Sequence, residues 1–137
     1  MKDDCIFCRI VAGGSPARRV AESRRAMAFL DLNPATDGHT LVIPKVHADD
    51  IWDLGDEDGA AVWELTRRVA DRLRDVLAPH GLTLFQANRV AGWQDIFHFH
   101  VHLVPRWTGD ALVKPWRRTR ADDVALDRVA ERLSGDG

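Results

Sequence analysis

Apolar and polar residues alternate along this chain with two different periods, and the periods divide it into elements. Between residues 56 and 78, apolar side chains recur at Val62, Leu65, Val69, Leu73, Val76 and Leu77. Steps of three and four keep one face of an α-helix apolar, so the spacing predicts a long amphipathic helix. Asp56 is its expected N-cap, and Pro79 and Gly81 close it. Elsewhere the apolar runs are short and rich in β-branched or aromatic residues. They predict strands from Val20 onward, over 26–31 (AMAFLD), over 40–44 (TLVIP), over 82–86 and over 97–105. Turn-forming stretches at 13–16 (GGSP) and 33–38 (NPATDG) separate them. Residues 5–12 form a short apolar segment, and 122–133 reads as a short charged helix with Val124, Val129 and Leu133 on one side. Strands, one long helix and strands again, joined by short connections, predict an α+β fold. The expected architecture is an antiparallel sheet of about five strands with helices on one face, one long and one short and C-terminal, as a single domain over residues 1–137.

One strand carries chemistry. Residues 98–104 read His-Phe-His-Val-His-Leu-Val. Alternate side chains of a strand share a face, so His98, His100 and His102 line one side and Phe99, Val101 and Leu103 the other. The apolar set can pack on a core while three imidazoles face a cleft. A lone strand histidine is ordinarily a hydrogen-bonded structural residue, and two in alternation can be plain metal ligands. Three on one rigid face also suit covalent catalysis. A neutral imidazole is a nucleophile near pH 7, attack on phosphorus gives a phospho-imidazole that water opens, and a neighbouring histidine can hold an oxygen or move a proton.

Composition narrows the setting. The chain has 137 residues, 45% hydrophobic and 29% charged, enough for one core without disulfides. Nineteen Lys and Arg nearly balance 21 Asp and Glu; the net charge of −2 supplies no global field for nucleic acid or a membrane surface. Any phosphate must be held by local groups. Acids near the N-terminus and the lack of a long apolar run predict a cytoplasmic protein with no membrane partner. The two cysteines, Cys5 and Cys8, form a Cys-x-x-Cys pair. In a reducing compartment such spacing points to metal or redox chemistry before a structural disulfide.

His-x-His-x-His followed by apolar residues resembles the signature of the histidine-triad (HIT) family. The likeness extends to 5–8 (CIFC), 28–31 (AFLD), 38–45 (GHTLVIPK) and 94–98 (QDIFH), in the family's order, and spans about residues 5 to 107. The resemblance implies a nucleotide hydrolase or transferase that cleaves P–N or P–O–P bonds at the α-phosphate and releases a purine nucleoside monophosphate. By that resemblance His100 is the nucleophile that becomes nucleotidylated, and His102 contacts the phosphate and assists proton transfer. Gln94 and Asn88 would reach the phosphates, and Asp31 the ribose hydroxyls. On their own residues, Asn88 also fits a turn, Asp31 a strand end and Gln94 an exposed position. Two positions depart from the pattern: Trp93 stands where the family usually has Gly, and Asp95 where Ser, Thr or Glu is common. The resemblance further implies a homodimer built on the long helix, to which Trp63 could contribute.

Zinc-binding members of the family use Cys-x-x-Cys, a middle histidine and the first histidine of the triad. Those positions fall on Cys5, Cys8, His47 and His98, a closed Cys₂His₂ set that implies a structural rather than catalytic zinc. No organic cofactor is expected. His39 is read as a structural hydrogen-bonding residue, Lys45 as solvated, His80 as a loop residue and most tryptophans as core or interface. The basic run 114–120 (KPWRRTR) precedes two acids and reads as solvated surface, which argues against a nucleic-acid partner. The competing reading is a purine-nucleotide-binding regulatory protein with vestigial catalysis.

Overall fold

The computed structural model describes residues 2–135. Its elements are α1 (Ile6–Val11), β1 (Arg19–Glu22), β2 (Ala26–Leu30), β3 (Thr40–Pro44), α2 (Asp56–Leu77), β4 (Gly81–Phe85), a 3₁₀ turn (Val90–Gly92), β5 (Val101–Arg106) and α3 (Asp123–Ser134). The five strands form one antiparallel sheet in the order β1-β2-β3-β5-β4. This is the α+β architecture expected from the hydrophobic pattern. No helix among the described residues is long and apolar enough to cross a membrane.

The sheet buries both faces, which corrects the expectation of helices on one side. Ala26, Ala28, Val42, Phe99 and Leu103 pack under Val62, Leu65, Val69 and Leu73 of α2. The alternate residues Met27, Phe29, Leu41 and Ile43 point the other way and pack with Phe7 and Ile10 of α1. That double cover is why β2 and β3 are apolar at nearly every position rather than alternating. α1 was legible only as a short apolar segment. Six residues cannot show a helical stripe, and its place on the opposite face is a long-range choice.

Boundaries differ in small, explicable ways. Gly55, not Asp56, is the N-cap of α2, and Asp56, Glu57 and Asp58 fill its first turn, where the helix dipole favours acids. Arg25 pairs with Glu57 at 2.6 Å and Asp58 at 3.1 Å, tying the β1–β2 turn to that helix end. Gly38 adopts φ +86°, and a Cβ there would stand 2.5 Å from Leu77 Cδ1. Only glycine admits this turn against α2, and the turn delivers His39 to the start of β3. Regular pairing of the histidine strand begins at Val101, not at residue 97. The four residues before it bend away from the ladder, although Phe99 still donates to the Ala48 carbonyl at 2.7 Å. None of the tryptophans is in the core; Trp52, Trp63, Trp93 and Trp116 are more than half exposed.

Candidate active site and metal cluster

The alternation of the histidine segment survives the bend. Phe99 and Leu103 face α2, while His98, His100 and His102 face the side that carries α1. The three imidazoles do not form one group, however. They divide between two clusters, with Phe7 edge-on to both His98 and His100, at 5.8 and 5.3 Å between ring centroids.

The first cluster joins His98 to the N-terminal segment. Its Nδ1 lies 3.4 Å from Cys5 Sγ and 3.6 Å from Cys8 Sγ, and His47 Nδ1 lies 3.4 Å from Cys8 Sγ. Both outer nitrogens face acceptors. His98 Nε2–H donates to the Pro44 carbonyl at 2.8 Å, and His47 Nε2–H donates to Asp49 Oδ1 at 2.6 Å. Each ring therefore keeps its Nδ1 lone pair for the interior, the tautomer a metal ligand needs. A tetrahedral zinc with Zn–S near 2.3 Å and Zn–N near 2.0–2.1 Å sets S···N separations of about 3.5 Å, so the distances fit. The Cys-x-x-Cys spacing arises because Cys5 caps α1 and Cys8 lies one turn on, both thiols on one end of the helix. Burial pushes His98 down to about 4, partly opposed by the Pro44 carbonyl, and burial raises the Cys5 thiol.

The second cluster lines a cleft of about 260 Å³. His100 is buried, and its Nδ1–H donates to the His98 carbonyl at 2.7 Å, leaving the Nε2 lone pair unprotonated. Asp95 Oδ1 stands 3.7 Å from that Nε2. His102 stacks on Phe85 with ring centroids 4.0 Å apart. Its Nδ1 meets His39 Nε2 at 3.0 Å. The direction of that bond follows from the far side of His39, whose Nδ1 accepts from the Ala35 N–H at 3.0 Å. His39 therefore carries its proton on Nε2 and donates it to His102, and His102 keeps its own proton on Nε2. Burial, and then the neighbouring His100 and His39, hold His102 down to about 4. Burial also lowers His39, against Asp31, whose Oδ2 is 3.5 Å from its Nε2.

Asp31, His39 and His102 would suit a metal by composition. The tautomers say otherwise. A ligating His39 Nε2 needs its proton on Nδ1, where the Ala35 N–H already points. His39, read from sequence only as a structural hydrogen bonder, thus does that and also orients His102. Its partner lies 63 positions away across the β3–β5 pairing, so no local pattern announces the contact.

The remaining expected residues are placed as follows. Asp31 lines the cleft, with Ile6, Ile10, Ala17, Phe29 and Leu32 forming its apolar half. Gln94 is buried and does not line it. Its Oε1 accepts from Arg89 N at 2.6 Å, and its Nε2 donates to the Asp49 and Ile96 carbonyls at 2.6 and 3.1 Å. Asn88 accepts from Ile51 N at 2.8 Å and exchanges amide hydrogen bonds with Gln86. Both brace the loop before the histidines. Lys45 is not free but pairs with Glu22 at 3.0 Å. His80 accepts from Thr108 N in its loop.

Residues 12–109 match the HIT domain model. The chain belongs to the HIT family. It is 38% identical over 122 residues to the protein named hit of Bacillus subtilis, spanning 88% of this chain and 83% of that one. It is 37% identical over 102 residues to the adenosine 5'-monophosphoramidase hnt1 of Schizosaccharomyces pombe, 74% of each chain. Among solved structures, a HIT family protein from Bacillus anthracis superposes with a TM-score of 0.92 at 33% identity, over 100% of this chain and 99% of that one. A zinc-bound histidine triad family protein from Mycobacterium smegmatis superposes with a TM-score of 0.76 at 35% identity, over 94% and 97%. At the general level these relatives support a nucleotide hydrolase, and the Cys5–Cys8–His47–His98 cluster has the composition of a metal site.

Proposed function

We propose that this HIT protein hydrolyses nucleotide derivatives at the α-phosphate through a covalent nucleotidyl-His100 intermediate and releases a purine nucleoside monophosphate. The observation that carries the reading is the state of His100: its Nδ1 proton is committed to the His98 carbonyl, so an unprotonated Nε2 is available beside the cleft. The base would lie in the apolar half of the cleft and the ribose hydroxyls against Asp31. Nε2 attacks the α-phosphorus, the bond to the leaving group breaks with its electron pair, and the leaving atom takes a proton from water. His102, neutral and oriented by His39, donates its Nε2–H to a phosphoryl oxygen as charge develops there. Water then adds to phosphorus and gives up a proton to the hydroxide left by the first step, the P–N bond to His100 breaks, and Nε2 regains its lone pair. Asn88 and Gln94 serve the phosphates by holding the loop beside them.

Cys5, Cys8, His47 and His98 would hold a structural zinc, which would clamp α1 to the segment entering β5. A homodimer through α2 is part of the reading, since Trp63 is 58% exposed on that helix. A cytoplasmic location agrees with the free cysteines.

The test is intact-protein mass after brief incubation with adenosine 5'-phosphoramidate. An adenylyl adduct with AMP release in the wild type, absent in His100→Ala, is expected. AMP bound tightly without any turnover across several such nucleotides would support the regulatory reading in its place.

A further inference from the structure

The described cleft has an unusual charge inventory for a phosphate site. Asp31 and Asp95 line it with His100 and His102, and no Lys or Arg does. The Asp95 side chain is 79% exposed at the mouth of the cleft. Its Oδ1 accepts from its own neighbour's backbone, Ile96 N, at 2.9 Å, and the same oxygen stands 3.7 Å from the attacking Nε2. The nearby arginine is already engaged: Arg89 pairs with Asp50 at 3.3 Å and lies over the Trp52 ring at 4.5 Å. Lys114, Arg117 and Arg118 belong to an exposed stretch that meets this loop where Trp116 packs on Trp93, at 5.7 Å between rings.

Resting on the hydrolase reading above, we propose that Asp95 makes this site select the charge of the leaving group, favouring cationic amines and disfavouring anionic groups such as polyphosphates. In an in-line displacement the leaving atom lies a few ångströms beyond phosphorus from Nε2. A charge a short way down the leaving group is then within roughly a Debye length, about 8 Å at physiological salt, of the fixed carboxylate. At that range a unit charge near an exposed carboxylate feels roughly 0.5 kcal/mol, about twofold per charge. The effect is a field, not a contact. It acts on the departure step in which the P–N bond breaks, the nitrogen keeps the electron pair and takes a proton from water to leave as the free amine, and the amine takes up a second proton in solution.

The experiment uses three adenosine 5'-phosphoramidates with the same P–N bond and differing only at the far end of the amine: 1,4-diaminobutane (cationic), butylamine (neutral) and 4-aminobutanoate (anionic). The wild type is expected to show kcat/KM in the order cationic, neutral, anionic, with about a fourfold span that shrinks in high salt. Asp95→Asn is expected to compress the span to less than about twofold and to remove its salt dependence. Turnover of all three without that order, or an order unchanged in Asp95→Asn, overturns the selector and leaves the hydrolase reading standing. No turnover of any of the three compounds overturns both.

Discussion

Two histidine clusters lie on the same sheet face, share Phe7 as a partition and draw on a single run of sequence, yet hydrogen bonding prepares them for opposite work. In the Cys5–Cys8–His47–His98 cluster, both histidines give their Nε2 protons to outward acceptors, Pro44 O and Asp49 Oδ1, and turn bare Nδ1 atoms inward. In the Asp31–His39–His102 cluster the protons run in series from Ala35 N–H to His39 to His102, so His39 Nε2 holds a proton where a metal would need a lone pair. Residue type alone rates both as metal sites. Acceptor placement separates them, and His100 sits between with its proton tied to the backbone of His98.

Breaking each cluster in turn should separate rate from stability. His100→Ala is expected to lower kcat by at least about 10³-fold, the scale for loss of a covalent nucleophile, with the melting temperature and metal content held. Cys8→Ala should do the reverse. Metal analysis is expected to fall well below one zinc per chain and the melting temperature to drop by about 10 °C or more, while the folded fraction keeps most of its activity. A large loss of turnover in folded Cys8→Ala would instead make the two clusters one unit.

pH sharpens the same contrast in metal-stripped protein. His98 and His102 are held at about 4, below the ordinary 6.5. The unfolded chain therefore binds more protons than the folded one between those values, and stability falls as pH drops from about 6.5 towards 4. With His102 discounted for its partial exposure, the two together are worth about 3–5 kcal/mol across that window, measurable by urea unfolding. Zinc should protect the His98 share only, because it occupies Nδ1. The smallest effect is expected at His39. His39→Ala removes one neutral hydrogen bond to His102 and should slow turnover about tenfold, with His39→Gln, whose amide can still donate, recovering part of it.

The long helix, the central strands and the His-x-His-x-His face were legible because each is written in a local period. α2 shows its stripe over 22 residues, and the histidine alternation needs only seven. What was not legible came from distant partners. α1 is too short to declare itself, and its face was settled by packing of Phe7 and Ile10 on β2 and β3. His39 gave no sign of His102, and Gln94, expected at the phosphates, spends its whole amide on three backbone groups. Of the two places expected for the tryptophans, core or interface, the core is excluded, because this sheet is covered by aliphatic and phenyl side chains.

Sequence by itself determined which side chains share a face, since strand and helix periods are fixed by backbone geometry. The Cys-x-x-Cys spacing was also legible, but that it spans one turn of α1 came from the structure. Tertiary structure decided which nitrogen of each histidine faces an acceptor and which keeps its lone pair. An imidazole's chemistry depends on which nitrogen holds the proton, and that is set by acceptors and donors 2 to 63 residues away in the chain.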